Sequence, residues 1–178
     1  ITFLGASYMP SIDDEFEANA GIERPYERIF KNDAPLMFLF STDRHLFQRF
    51  GTLSIGGGVG YWSVEGKGVS ESSDDSEVNE TTEMTIYPLS LHLSYRFDYF
   101  QNLIPIVPTV KGGLTYYMWN IYDGGGDVAR FNSGEEASGS TFGWTYSIGA
   151  QFLLDFFDRE MAWAFDRDAG VNHSYLSF

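Results

Sequence analysis

Between positions 84 and 98 the chain alternates strictly. Tyr87, Leu89, Leu91, Leu93, Tyr95 and Phe97 are apolar, and Pro88, Ser90, His92, Ser94, Arg96 and Asp98 fill the positions between them. A period of two predicts an extended strand with one apolar and one polar face. The apolar row begins and ends in aromatics with leucines between. That order matches the lipid-facing row of a membrane strand, with hydrocarbon in the middle and aromatic girdles at both interfaces. Ten steps of about 3.3 Å, tilted by about 40°, rise roughly 25 Å, the height of the apolar band of an outer-membrane barrel.

The same pattern predicts six further strands. Residues 1–8 form the first, and residues 10–34 an acidic loop with Asp13, Asp14, Glu15, Glu17, Glu23, Glu27 and Asp33. Residues 35–44 form the second strand, with Leu36, Phe38 and Phe40 outward and Ser41 and Asp43 inward; 45–50 is a short turn. In the third, 51–64, Leu53, Ile55, Val59 and Tyr61 oppose Thr52, Ser54, Gly56, Gly58 and Gly60. A loop over 65–82 carries Glu71, Asp74, Asp75, Glu77 and Glu80 before the alternating strand, and a Pro-bounded turn over 99–106 follows it. The fifth strand, 107–120, sets Val110, Leu114, Tyr116 and Met118 against Thr109, Lys111, Thr115 and Tyr117. A loop over 121–140 opens on Asp123-Gly124-Gly125-Gly126-Asp127. In the sixth, 141–155, Phe142, Trp144, Tyr146, Ile148, Ala150, Phe152 and Leu154 face one way, and Thr141, Gly143, Thr145, Ser147, Gly149, Gln151 and Asp155 the other. Residues 158–168 predict a short interfacial helix capped by Asp158, with Phe157, Met161 and Phe165 on one face and Trp163 suited to a membrane interface. A seventh strand spans 171–178.

Composition supports this reading. The chain has 178 residues, the size of one domain, and no apolar run reaches the 18 or so residues of a membrane helix. A chain of this kind crosses a membrane only as a closed barrel. Aromatics make up 17%, which suits rings lining two interfaces. A formal charge of -14 argues against a nucleic-acid partner, and the absence of cysteine excludes disulfides and thiolate metal sites. No signal peptide opens the chain, so Ile1 reads as a mature or trimmed start. A water-soluble barrel also alternates, but its wet face would be rich in Lys and Glu. Here that face offers Thr, Ser, Gly and Gln, which suit a narrow lumen filled by side chains.

Several stretches together resemble a family of small outer-membrane β-barrel proteins of myxobacterial type. They are Tyr95-Arg96-Phe97-Asp98, residues 104–108 with Lys111-Gly112-Gly113-Leu114, Gly143-Trp144, Leu153-Leu154-Asp155, and residues 170–175. The resemblance covers nearly the whole chain. It implies an antiparallel, up-and-down barrel of eight strands in the outer membrane and carries over no catalytic residue.

Candidate chemistry is sparse. Ser90 and His92 are neighbours on one strand face about 7 Å apart, close enough for a Ser-His contact. The plainer reading of His92 is a hydrogen-bonded lumen histidine. His173-Ser174 is weaker, since adjacent strand residues face opposite ways. The Asp123–Asp127 stretch lacks the ligand spacing of a calcium loop and reads as turn chemistry. No metal or other cofactor is expected. Arg96, Lys111 and Asp155 fall low on inward faces with Asp43 beside them, which predicts a salt-bridged lumen cluster and no continuous water channel.

The twelve residues expected to face lipid are Tyr87, Leu89, Leu91, Leu93, Tyr95, Phe97, Phe142, Trp144, Tyr146, Ile148, Phe152 and Leu154. Long and short loops alternate, which places Ile1 at the periplasmic end and the acidic loops outside the cell of a Gram-negative bacterium. Expected partners are outer-membrane lipid, lipopolysaccharide and other envelope proteins. Three functions fit: a non-enzymatic structural or anchoring protein, a transporter of a small or apolar solute, and a lipid-modifying enzyme around His92. Seven strands cannot close with an antiparallel seam, so a single barrel domain over 1–178 is expected to lack its last strand or to borrow one from a neighbour.

Overall fold

The computed structural model describes residues 1–12, 25–31, 33–69, 77–101, 103–130, 134–157, 159–170 and 173–178. Seven strands lie side by side in chain order: β1 (Thr2–Ser7), β2 (Leu36–Gln48), β3 (Thr52–Val69), β4 (Glu77–Arg96), β5 (Ile106–Tyr122), β6 (Ser138–Leu153) and β7 (Tyr175–Ser177). The first pair is antiparallel from Thr2↔Ser41 to Ser7↔Leu36, and the last from Gln151↔Ser177 to Leu153↔Tyr175. The fold is all-β and up-and-down; its described α-helices are α1 (Pro25–Phe30) and α2 (Arg159–Ala169), and a 3-10 turn spans Leu154–Phe156. Among the described residues no helix is long and apolar enough to cross a membrane.

Several boundaries differ from the sequence expectation. β3 and β4 run on through most of the stretch read as a loop over 65–82; Glu77 and Glu80 lie in β4, while Glu71, Asp74 and Asp75 lie outside the described residues. A two-stranded ladder continues while both partners supply backbone hydrogen bonds, so exposed charge along it does not end it. Residues 70–76, between β3 and β4, lie outside the described residues. β7 is far shorter than 171–178. The expected cap Asp158 lies outside the described residues, as do Asp13, Asp14, Glu15, Glu17 and Glu23.

Burial along the strands is the inverse of a water-soluble sheet. On β4, Leu91 is 61% exposed and its neighbour His92 7%. Tyr87, Leu89, Leu93 and Phe97 are exposed with Leu91, whereas Pro88, Ser94 and Asp98 are buried with His92. β5 repeats this, with Val110 and Leu114 out and Thr109 and Thr115 in. In β3, Ile55, Val59 and Tyr61 are exposed while Thr52 and Ser54 are buried.

Contacts group the chain into two compact units, and the long strands pass from one into the other. Unit 1 comprises Ile1–Ser41, Gly58–Leu89 and Tyr116–Gly143; unit 2 comprises Thr42–Gly57, Ser90–Thr115 and Trp144–Phe178. Unit 1 has an apolar core of Tyr26, Phe30, Met37, Trp62, Val64, Met84 and Ile86. Two of these come from α1, inside the segment read as an acidic loop. Pro25 presets the first helical turn, and Tyr26, Ile29 and Phe30 share one face by their spacing of three and four. The helix ends at Lys31, which takes a left-handed φ of 54°, and its backbone N–H donates to the Glu27 carbonyl at 2.9 Å. The Tyr26 hydroxyl then donates to the Asp33 carbonyl at 2.6 Å. β3 makes room for the helix at Gly66, where a Cβ would lie 2.8 Å from the Phe30 ring and collide with the Ile29 carbonyl.

Trp62 is the centre of this core. It is wholly buried, stacks edge-on against Tyr8 at 5.7 Å, and its indole N–H is shared between the carbonyls of Tyr8 (3.2 Å) and Pro35 (3.3 Å). It thus ties both ends of the α1-bearing connection to β3. Trp62→Ala should lower folding stability by about 3–5 kcal/mol, read from urea titrations in lipid or detergent. A loss as small as that of an exposed strand position would show that α1 does not depend on this ring.

Candidate functional site

The inward face of unit 2 is polar, and several of its groups pair internally. Asp43 on β2 receives His92 of β4, with imidazole Nε2 at 2.9 Å from Oδ1, and the Ser94 hydroxyl donates to the same oxygen at 3.3 Å. An ionised carboxylate only accepts, so Nε2 carries the proton in this contact. β3 lies between β2 and β4, and the pair forms directly over Gly56. A Cβ at position 56 would stand 2.5 Å from Asp43 Oδ1 and 2.7 Å from His92 Nε2. The missing side chain is what lets two groups meet across an intervening strand.

A second network lies nearby in the same unit. Thr52 donates its hydroxyl to Asp98, and Arg96 Nη2 approaches the same Asp98 oxygen at 3.3 Å. The Arg96 guanidinium stacks 4.8 Å above the Tyr175 ring, and the Tyr175 hydroxyl donates to Gln101 at 2.9 Å. A third group centres on Asp155, which takes His173 Nδ1 at 2.7 Å and the Ser174 backbone N–H at 3.1 Å. It anchors the chain where it returns from α2 to β7.

Of the four charges expected to form one cluster, Asp43, Arg96, Lys111 and Asp155, all lie in unit 2. They do not pair with one another. Asp43 takes His92, Arg96 takes Asp98, and Asp155 takes His173. Lys111 acts on Asp43 through electrostatic attraction, without a contact ion pair among the described residues. The sequence missed Thr52 and Tyr175 as partners. Thr52 was legible only as one more small inward residue, and Tyr175 sits where the alternation breaks down.

The expected lipid-facing residues all lie on β4 and β6 or within a residue of their ends. Tyr95 and Phe152 are half-buried and the other ten exposed. Ser90 shares the inward face of β4 with His92. Around His92, the Ser94 hydroxyl and the imidazole converge on the Asp43 carboxylate. In the glycine loop, Asp123 Oδ1 accepts the backbone N–H groups of Gly125 (2.9 Å) and Asp127 (3.1 Å), so that carboxylate is engaged within its own turn. Among the described residues no group of three or more His, Cys, Asp or Glu side chains is placed to hold a metal ion.

Gly56→Ala tests the Asp43–His92 contact. The added methyl should force the pair apart and cost about 1–3 kcal/mol in a urea titration, whereas Gly112→Ala, where a Cβ meets nothing within 4 Å, should be mild. Equal losses would mean that the cost comes from the backbone and not from the pair.

No curated protein and no solved structure gives a match to the chain. The model of one family, described as the outer membrane protein beta-barrel domain, matches residues 5–176. With exposed apolar rows outside and paired polar groups inside, the chain belongs to the outer membrane protein β-barrel domain family and is a transmembrane protein of the outer membrane.

Proposed function

We propose that this protein is a non-enzymatic structural or anchoring element of the outer membrane, and not a wide pore. The observation that carries the reading is the state of the inward side chains. In unit 1 they pack as an apolar core around Trp62, and in unit 2 Asp43 takes His92 and Ser94 while Arg96 takes Asp98. Polar groups spent on internal partners favour a scaffold over a conduit or a hydrolase.

In this reading Tyr87, Leu89, Leu91, Leu93, Tyr95, Phe97, Phe142, Trp144, Tyr146, Ile148, Phe152 and Leu154 face lipid. The short turns after β2 and β4 face the periplasm, and the acidic connections of unit 1 face outward toward lipopolysaccharide. Other envelope proteins are the partners that an anchor would hold. The motif combination at residues 95–98, 104–108 and 170–175 favours the myxobacterial type within the family.

Closure is part of the proposal. On β6, Phe142, Trp144, Tyr146 and Ile148 are 76–86% exposed, whereas Leu89, Leu91 and Leu93 on β4 are 41–61% exposed. β7 flanks β6 only from Leu153 to Gln151, with Phe178 bonded to Ala150 just beyond. Among the described residues the outer edge of β6 has no strand beside it from Ser138 to Gly149. That stretch contains no charge and no proline, the usual guards of a free edge. A further antiparallel strand alongside it completes the sheet in the membrane.

Two measurements test the reading. Leu91→Arg should cost roughly 2–4 kcal/mol of folding free energy in bilayers, while Ser94→Ala should cost about 1 kcal/mol; the reverse order would turn the sheet inside out. In planar bilayers the intact protein should carry no steady single-channel current, and a stable conductance would replace the anchoring role with transport.

A further inference from the structure

The three connections that leave β2, β4 and β6 within unit 2 carry large apolar side chains where turns are ordinarily polar. Phe50 lies between β2 and β3, Tyr99, Phe100 and Leu103 between β4 and β5, and Phe157 and Trp163 after β6. All are well exposed, with Leu103 at 80% and Trp163 at 81%. Three of them are in contact. The Phe50 ring lies 6.2 Å from Tyr99, and Tyr99 lies 4.8 Å from Phe100. Tyr175 reaches Gln101, and Leu153 N–H bonds the Pro105 carbonyl, which brings the β6 end beside the β4–β5 turn. A patch of this size is not left in water by a stable protein, so something covers it.

We infer that this turn cluster is immersed in phospholipid, so that the membrane-embedded surface extends beyond the strand ends to the turns and α2. Two observations select lipid over a protein partner. The first is continuity: Phe157 packs on Phe152 at 5.4 Å, and Phe152 ends the apolar row of β6. Phe97, at the foot of the β4 row, likewise stacks on Tyr95 at 4.7 Å and runs directly into Tyr99. The second is charge. Unit 1 holds 18 acidic and five basic side chains in sequence, and unit 2 seven and six. Exposed Arg44 and Arg49 stand at this end, with the Arg49 guanidinium 5.4 Å over the Phe50 ring. An arginine on an aromatic plane can present its charge to headgroup phosphates while its stem stays in the apolar layer. Tyr99 and Trp163, amphipathic rings, suit the same interfacial depth.

This inference rests on the lipid-facing assignment of the strand rows, and the test separates the two. The chain contains no cysteine, so single cysteines report cleanly. Leu103→Cys and Trp163→Cys are made in the intact protein, with Leu91→Cys as the strand reference and Gly125→Cys in an exposed loop of unit 1. Each is reconstituted in phospholipid nanodiscs, which leave both membrane faces open, and treated with a charged maleimide; full labelling in denaturant confirms each thiol. The expected result is labelling at 125 and loss of labelling at 91, 103 and 163. Labelling at 103 and 163 with protection at 91 would overturn the inference, placing the cluster in water and leaving it for a protein partner, while the strand assignment stands. Labelling at 91 as well would overturn both.

Discussion

The constraint on which everything else depends is that each polar group removed from water must find its partner inside the sheet. In hydrocarbon an unpaired backbone N–H or C=O costs several kcal/mol, so the strands pair edge to edge and apolar side chains dominate the outward rows. The inner face is then the only place left for His92, Ser94, Arg96 and Asp98, and each of them must be matched there. The Asp43–His92 contact shows how narrow that requirement is. The two groups sit on strands that are not neighbours, and they meet because position 56 between them has no side chain.

The constraint is met differently in the two units. Unit 2 fills its inner face with hydrogen-bonded polar groups. Unit 1 fills it with Trp62, Val64, Met84 and Ile86 and closes over them with α1. Both arrangements leave the interior occupied by the chain's own side chains, but their sensitivities differ. Truncating a packed ring leaves a cavity, whereas removing one member of a polar network strands its partner in a poorly solvated place.

How much of this was legible in the sequence follows from the same division. The apolar rows of β4 and β6 were legible because apolar and polar positions alternate there, and all but Tyr95 and Phe152 of the residues expected to face lipid are exposed. Alternation is lost in β3 from Val59 to Val64, where Tyr61 points out and Trp62 in, and both faces are apolar. The core of unit 1 was hidden for that reason. α1 was hidden by its surroundings: acidic residues dominate 10–34, and a helix of six residues presents only one apolar turn at Tyr26, Ile29 and Phe30. The unit 2 charges were found but their partners were not, since pairing across strands depends on register and on a glycine whose role is steric. Asp155 illustrates the limit. Its partners, His173 and Ser174, come from a return after α2 that no periodicity announces.

The edge of β6 sets the last step. Its outward row is as apolar as that of β4, yet Trp144, Tyr146 and Ile148 are 83–86% exposed, because β7 accompanies the strand for only three residues. Thr141 and Ser147 on the opposite face are exposed too, so this strand lacks cover on both sides at once. Burial by lipid would account for the rings but not for the backbone, since acyl chains cannot accept an N–H. The polar side chains and the backbone along Ser138–Gly149 therefore ask for the same neighbour, a strand with hydrogen bonds to give and small residues facing inward. In the proposed reading, a further strand along the β6 edge would meet both requirements at once.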